Sequence, residues 1–171
     1  LTDQLPAITG LRLTWLDNKG ESYGATKESS YDAVKTPYAG LIYDINDQYS
    51  TYVSYSEIFN PQDYQDRNGD YLDPLEGQNY EAGIKAEFFD RKARVNLAGY
   101  YSAIKDIQRS TIVTASSGQT ATIVGNAGKA RIFGGEAEVT FMPVRAIELA
   151  GTLAYTNPKY LDYVDPNTGL D

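Results

Sequence analysis

The chain has 171 residues, a net charge of −8 at pH 7, and neither cysteine nor histidine. The absence of both residue types excludes disulfide frameworks, zinc–thiolate sites and the Ser-His triad. An acidic chain without a basic patch interleaved with aromatics also argues against a nucleic-acid partner. Its 15 tyrosines against 5 phenylalanines suit half-wet surfaces, where a ring is buried while its hydroxyl stays hydrated.

Seven segments alternate apolar and polar residues, and no amphipathic helix is predicted. A period of two places successive side chains on opposite faces of a strand. No run approaches the roughly 18 consecutive apolar residues of a transmembrane helix. The predicted strands are, in chain order, residues 7–16, 35–43, 48–59, two strands of a hairpin within 80–107, then 129–141 and 146–155.

The hairpin at residues 80–107 has the clearest alternation. Strands of globular proteins usually run about five or six residues, whereas a transmembrane β-strand needs about ten. The pattern therefore predicts two strands of a transmembrane β-barrel, each with a lipid face and a wet face. In the first strand the two faces are Ala82, Ile84, Ala86 and Phe88 against Glu81, Gly83, Lys85 and Glu87.

The connections between predicted strands alternate in length. Short ones are expected at residues 44–47, 90–92 and 142–145, and long ones at 17–34, 60–79 and 106–128, with a fourth beginning at 156. Outer-membrane barrels have short periplasmic turns and long extracellular loops. The alternation thus predicts an antiparallel meander with its short turns on the periplasmic side.

Seven strands are an odd number, whereas bacterial single-chain barrels have an even number. We therefore expect an incomplete barrel, a piece of a larger one. The first ten residues, LTDQLPAITG, lack the basic region and apolar core of a signal peptide. An outer-membrane location thus requires that a signal was removed or that the chain is a fragment.

Two long stretches resemble the barrel of TonB-dependent siderophore receptors, in particular the ferric-pyoverdine and ferric-coprogen type. They are LIYDINDQYSTYVSYSEIFNPQ at residues 41–62 and LDPLEGQNYEAGIKAEFFDRKARVNLAGYYSAIKDIQ at 72–108. The later run NAGKARIFGGEAEVTF at 126–141 resembles the next strand of that family. The resemblance extends over about residues 11–161.

This resemblance implies a 22-stranded barrel with a plug domain, which takes up ferric siderophores across the bacterial outer membrane with TonB as the driving partner. No segment resembles a plug or a TonB-contacting segment, so residues 1–171 are expected to be one partial barrel domain without a plug. The expected partners are a ferric siderophore, the lipid bilayer, and TonB through the missing plug region.

Six tyrosines in predicted loops are the candidate ligand contacts, through ring stacking and hydroxyl hydrogen bonds. Iron would arrive already chelated by the siderophore, so no cofactor, protein metal ligand or catalytic residue is expected. The six candidates are Tyr23, Tyr31, Tyr64, Tyr71, Tyr160 and Tyr163.

Three alternatives remain open from the residues. The first is a small, closed outer-membrane barrel with a structural or adhesive role, and the second is a soluble, tyrosine-rich β-sandwich that binds sugars. The third is a glycosidase, because Glu136 and Glu138 lie two apart on one strand and glycosidases use paired carboxylates. A polar barrel interior is a sufficient explanation of both glutamates.

Overall fold

The computed structural model describes residues 4–22, 25–65, 71–114, 119–126 and 128–161. Within these ranges the chain forms β-strands and no α-helix, so none of the described segments is a helix that could cross a membrane. The strands are β1 (Ala7–Ser22), β2 (Ala25–Asn46), β3 (Tyr49–Asn60), β4 (Leu75–Phe88), β5 (Ala93–Lys105), β6 (Gln108–Thr114), β7 (Thr120–Asn126), β8 (Lys129–Val144) and β9 (Ile147–Tyr160).

Seven of these strands form one antiparallel sheet in the order β1-β2-β3-β4-β5-β8-β9, and β6 and β7 form a separate hairpin. The predicted seven-stranded meander is thereby confirmed. The sheet is an open single layer, with β1 and β9 at its edges. The buried hydrophobic side chains among the described residues are Phe59 and Ala130 in the sheet and Leu72 in the β3–β4 connection.

This architecture contradicts two of the alternative folds. A β-sandwich packs two sheets face to face and buries the side chains between them, whereas the large sheet here has no second layer among the described residues. A small closed barrel requires its first and last strands to pair, whereas β1 and β9 are the two edges of the described sheet.

Two of the predicted long connections were wrong. Residues 17–22 continue β1 and residues 25–34 belong to β2, and the two strands pair from Leu16 opposite Tyr31 to Ser22 opposite Ala25. Alternation does not detect this part because its residues, such as DNKGES at 17–22, are polar on both faces. Residues 106–128 contain the β6–β7 hairpin, whose signal is β-branched Thr, Ile and Val in strands too short for a clear period.

The three predicted short turns are confirmed, and they lie together at one end of the sheet, at residues 47–48, 89–92 and 145–146. In the β2–β3 turn, the Asn46 side chain accepts hydrogen bonds from the backbone N–H groups of Gln48 and Tyr49, at 2.9 and 3.0 Å. An Asn side chain bonded two residues ahead mimics a backbone turn. We call this the turn side of the sheet and the opposite end the loop side.

The register places apolar side chains of neighbouring strands on one face, which we call the apolar face. Val53 lies opposite Ala82, and Leu97 lies opposite both Ile84 and Ala137. Side chains there are exposed, as with Leu153 at 73% and Val53 at 54%. A wide exposed apolar surface marks a contact with lipid or protein, so the face predicted from the hairpin extends across the sheet.

Aromatic side chains border the apolar face at both ends. A loop-side aromatic row joins direct cross-strand partners on four strands, namely Tyr55, Tyr80, Tyr101 and Phe133. A turn-side aromatic row contains Tyr49, Phe88 and Phe141, with the Tyr49 and Phe88 ring centroids 5.6 Å apart. The strand segment from Tyr80 to Phe88 contains nine residues, and a tilted transmembrane β-strand needs about nine to eleven.

Candidate functional site

The opposite side of the sheet, the polar face, carries an ordered cluster of polar side chains. Tyr52 donates its hydroxyl proton to the Glu81 carboxylate, with 2.7 Å between the oxygens. The Lys85 ammonium lies 5.1 Å from the centroid of the Tyr52 ring, within the range of a cation–π contact. Tyr52 therefore contacts a carboxylate through its hydroxyl group and an ammonium group through its ring.

Tyrosine rings on the polar face repeatedly lie over a glycine. In each case a Cβ atom added to the glycine would collide with the ring, and the glycine is the direct cross-strand partner of the tyrosine. Our sequence-based site prediction missed these residues, although each tyrosine occupies a polar position in the alternation. The pairs are Tyr38 over Gly10, Tyr52 over Gly83 and Tyr100 over Gly134.

Charges of both signs meet on the polar face nearer the turn side. They line a cavity of about 340 Å³ together with Asn96, whose side-chain oxygen is buried and has no hydrogen-bond partner among the described residues. Glu136 and Glu138 project to this same face from β8, opposite Ala98 and Asn96. Their carboxylates therefore do not flank a space from two sides, as glycosidase carboxylates do. The charged lining residues are Lys85, Glu87, Arg94 and Glu138.

On the loop side, Tyr31 packs edge-on against Phe59, with ring centroids 5.3 Å apart. Burial raises the pKa of the Tyr31 hydroxyl, and the negative charges of Asp63 and Asp73 raise it further. Asp63 is itself held by Asn18, whose amide donates to the carboxylate at 3.0 Å. Tyr31 therefore remains a neutral hydrogen-bond donor at physiological pH.

Gln62 links two of the loop-side connections. Its buried amide nitrogen donates to the backbone carbonyl of Asp73 at 2.5 Å and to that of Asp106 at 2.6 Å. In the same β3–β4 connection, the backbone N–H of Leu72 donates to the carbonyl of Tyr64 at 2.9 Å. Gln65 and Tyr71 form an isolated antiparallel β-bridge. These bonds join the two described parts of the connection, residues 61–65 and 71–74, and bring Tyr64 and Tyr71 close together.

A cavity of about 440 Å³ lies where the loop-side ends of β3, β4, β5 and β8 meet the middle of β2. Its lining mixes apolar groups, such as Ile58 and Ile104, with charged ones. Lys105 and Glu76 are among the charged residues at its border, and they form an ion pair at 2.8 Å on the apolar-face side of the sheet. A concave surface with an apolar lining and a few polar groups is the usual form of a small-molecule site.

The structure brings together three of the six predicted ligand tyrosines. Tyr31, Tyr64 and Tyr71 all lie at the β3–β4 connection or beside it. Tyr160 ends β9, opposite Ala130, and four strand steps of about 4.8 Å separate β9 from β3. Tyr23 and Tyr163 lie outside the described residues. A ligand role for all six remains a prediction.

No group of three or more acidic residues in the described part of the chain is arranged to hold a metal ion. The loop side instead offers phenol rings, amides and ion-paired side chains around cavities. Such an arrangement can bind a preformed polar ligand by stacking and hydrogen bonding.

Comparison with known proteins points to one family. The sequence profile that matches is described as TonB dependent receptor-like, beta-barrel, and the match covers residues 1–171. The ferric-pyoverdine M114 receptor PbuA of Pseudomonas sp. (strain M114) is 32% identical over 174 residues, which is 96% of this chain and 21% of that protein. The chain therefore spans about a fifth of the length of this curated relative.

Solved structures share the same architecture. The alcaligin outer membrane receptor FauA from Bordetella pertussis superposes with a TM-score of 0.74 at 26% identity, over 98% of this chain and 30% of that one. The pyoverdine outer membrane receptor FpvA from Pseudomonas aeruginosa PAO1, bound to pyoverdine, has a TM-score of 0.72 at 30% identity. That match covers 95% of this chain and 24% of FpvA.

Proposed function

Because this chain belongs to the TonB-dependent receptor-like β-barrel family, we propose that it forms part of an outer-membrane receptor for the uptake of ferric siderophores. The observation that carries the proposal is a sheet with one apolar face, bordered by aromatic rows, and one polar face. Its relative PbuA, a ferric-pyoverdine receptor, matches nearly the whole chain. The receptor's work is binding and transport, without covalent chemistry.

In this proposal the apolar face contacts lipid and the polar face lines the barrel interior. Tyr and Trp rings favour the level of the lipid headgroups, so the two aromatic rows mark the two membrane interfaces. The short turns then lie in the periplasm and the loop side lies outside the cell, as in other outer-membrane barrels. The seven-stranded sheet is one part of the wall of a larger barrel in the bacterial outer membrane.

We place the siderophore at the loop side, against the β3–β4 connection and the adjoining cavity. Tyr31, Tyr64 and Tyr71 supply rings and hydroxyl groups there, and Tyr23, Tyr160 and Tyr163 are further candidates. Iron enters as cargo, already chelated, so the protein needs no metal ligands of its own. We place the contact with TonB in a plug domain elsewhere in the receptor.

Binding of ferric siderophore to cells that carry the full-length receptor tests this proposal. We compare wild type with the triple variant Tyr31→Phe/Tyr64→Ala/Tyr71→Ala, using radiolabelled ferric pyoverdine. Each lost stacking contact or hydrogen bond contributes about 1 kcal/mol, so the affinity should fall by at least about tenfold. The variant Tyr155→Ala is the matched control, because Tyr155 is an exposed tyrosine on the apolar face.

The two parts of the proposal fail separately. A wild-type receptor that neither binds nor imports any ferric siderophore in a panel headed by ferric pyoverdine would refute the function. A wild type that binds, with a triple variant that binds equally well, would refute the placement of the ligand at the β3–β4 connection.

A further inference from the structure

Basic side chains gather on the apolar face just beyond the loop-side aromatic row. Arg131 and Lys159 are direct cross-strand partners, and they lie two residues nearer the loops than the partners Phe133 and Asn157. Lys129 lies two residues further along β8, opposite Lys105. On a chain whose net charge is −8, this corner at β5, β8 and β9 has a local excess of positive charge.

Arg131 and Lys159 lack a neutralising partner within the part of the chain that the structure describes. Lys105 is paired with Glu76 at 2.8 Å, but no ion pair or side-chain hydrogen bond joins Arg131 or Lys159 to another described residue. Like charges directly opposite each other destabilise a strand pair. The position is therefore suited to an anion that binds between the two cations.

A cavity of about 270 Å³ lies at this point of the apolar face. The rings of Tyr101 and Phe133 and the amide of Asn157 line it together with Arg131 and Lys159. All five residues belong to two adjacent rows of the same register. The cavity thus combines two cations with an aromatic surface at the level where an aromatic row marks the membrane interface.

The surface toward the turn side of this cavity is apolar and partly lacks side chains. Gly99 and Gly135 are direct partners one step below Tyr101 and Phe133. The strands then continue with Ala137 opposite Leu153. Hydrocarbon chains can lie along this strip while a headgroup occupies the cavity above it.

We infer that this corner binds a lipid with an anionic phosphate headgroup, in the leaflet next to the loops. The Arg131 guanidinium can bind two phosphate oxygens at once, and Lys159 adds a point charge. The acyl chains run along the apolar strip of β8 and β9, which favours a lipid over free phosphate. This inference rests on the proposed function, because it needs the apolar face to contact a bilayer.

Lipid titration of the purified full-length receptor, followed by native mass spectrometry, tests the inference. Wild type should bind phosphatidylglycerol more tightly than phosphatidylcholine. Each cation near a membrane surface contributes about 1 kcal/mol toward an anionic lipid. The variant Arg131→Ala/Lys159→Ala should therefore bind phosphatidylglycerol roughly 30-fold more weakly, and Arg131→Lys/Lys159→Arg should keep most of the affinity.

The control variant Lys85→Ala/Arg94→Ala also removes one lysine and one arginine charge, but from the polar face. It should bind phosphatidylglycerol as wild type does. If the Arg131→Ala/Lys159→Ala barrel does not fold, each single substitution should weaken binding about fivefold. Equal binding by wild type and the Ala variants overturns the inference. Inorganic phosphate that binds as tightly as phosphatidylglycerol also overturns it, because the site would then recognise a free anion.

Ferric pyoverdine binding, measured on the same samples, reports separately on the proposed function. Arg131 and Lys159 lie on the opposite face of the sheet from the barrel interior, so their replacement should leave siderophore affinity unchanged. A receptor that binds the lipid but no siderophore would refute the proposed function and support the lipid site.

Discussion

A tyrosine ring over a glycine is the recurring residue-scale contact on the polar face. Glycine in a strand often marks a place where another group approaches the backbone closely. At Gly134 the ring belongs to Tyr100, whose hydroxyl lies 2.6 Å from the Thr156 hydroxyl on β9. Tyr100 therefore spans β8 and links the two strands on either side of it.

We expect Gly134→Ala to destabilise the full-length receptor by about 1–3 kcal/mol, the usual cost of overpacking. The new Cβ would collide with the Tyr100 ring and lie 2.5 Å from the backbone oxygen of Tyr155. The control is Gly151→Ala, since no atom lies within 4 Å of a Cβ at that position. Equilibrium unfolding in urea with lipid vesicles measures both, and equal stabilities would contradict the steric explanation.

At the scale of elements, the Gln62 side chain connects the β3–β4 connection to the loop-side end of β5 by hydrogen bonds. The two carbonyl groups that it binds, those of Asp73 and Asp106, lie 11 and 44 residues away along the chain. One buried amide thus holds segments that the sheet hydrogen bonds do not join. The proposed siderophore site depends on this connection keeping its shape.

We expect Gln62→Ala to loosen that connection without unfolding the sheet. The substitution removes both hydrogen bonds, and a typical hydrogen bond contributes about 0.5–1.5 kcal/mol. Amide hydrogen exchange at residues 61–65 and 71–74 should accelerate by at least about tenfold, and siderophore affinity should fall. Gln48→Ala is the control, because the Gln48 side chain is exposed in the β2–β3 turn, at the opposite end of the sheet. Unchanged exchange in Gln62→Ala would contradict this role.

At the scale of the whole molecule, the two faces of the sheet meet different solvents. Neighbouring residues of one strand provide a direct comparison, because Leu153 lies on the apolar face and Ala154 on the polar face. Both lie between the two aromatic rows along β9. Their side chains point in opposite directions from adjacent positions, so the same substitution at each separates the effect of lipid from the effect of position in the chain.

We expect Leu153→Arg to destabilise the folded barrel by about 2–4 kcal/mol, the cost of an arginine on the lipid face near the bilayer midplane. Ala154→Arg should cost much less, because its side chain faces the polar interior. Urea unfolding in lipid vesicles gives both values. Similar costs for the two substitutions would show that the apolar face does not contact lipid.

Most of the fold could be predicted because alternation is a property of each strand by itself. The period of two in residues 80–107 determined which side chains of β4 and β5 share a face, and the structure confirms it. The same criterion failed at residues 17–34, where both faces are polar, and at 106–128, where the strands are short. A strand with water on both faces has no alternation of apolar and polar residues, but its backbone hydrogen bonds still form.

Less of the candidate site could be predicted, because it depends on contacts across strands. Composition places Tyr31, Tyr64 and Tyr71 in or near connections, but it does not indicate that Tyr31 packs on Phe59. The glycine-packed tyrosines were missed for the same reason. The sequence around Tyr100 does not indicate its contact with Gly134, which follows from the register of β5 and β8.

The sequence by itself determined the all-β class, the two-faced strands, the side of the short turns and the family. These properties follow from local alternation and from motifs that are continuous in the chain. The tertiary structure decided the register, and with it the aromatic rows, the Gln62 link and the meeting of Arg131 with Lys159. The hydrophobic pattern restricts the register to pairings that keep one face apolar, and turn geometry selects among them. The contacts that result involve side chains of different strands, so they exist only once those strands lie side by side.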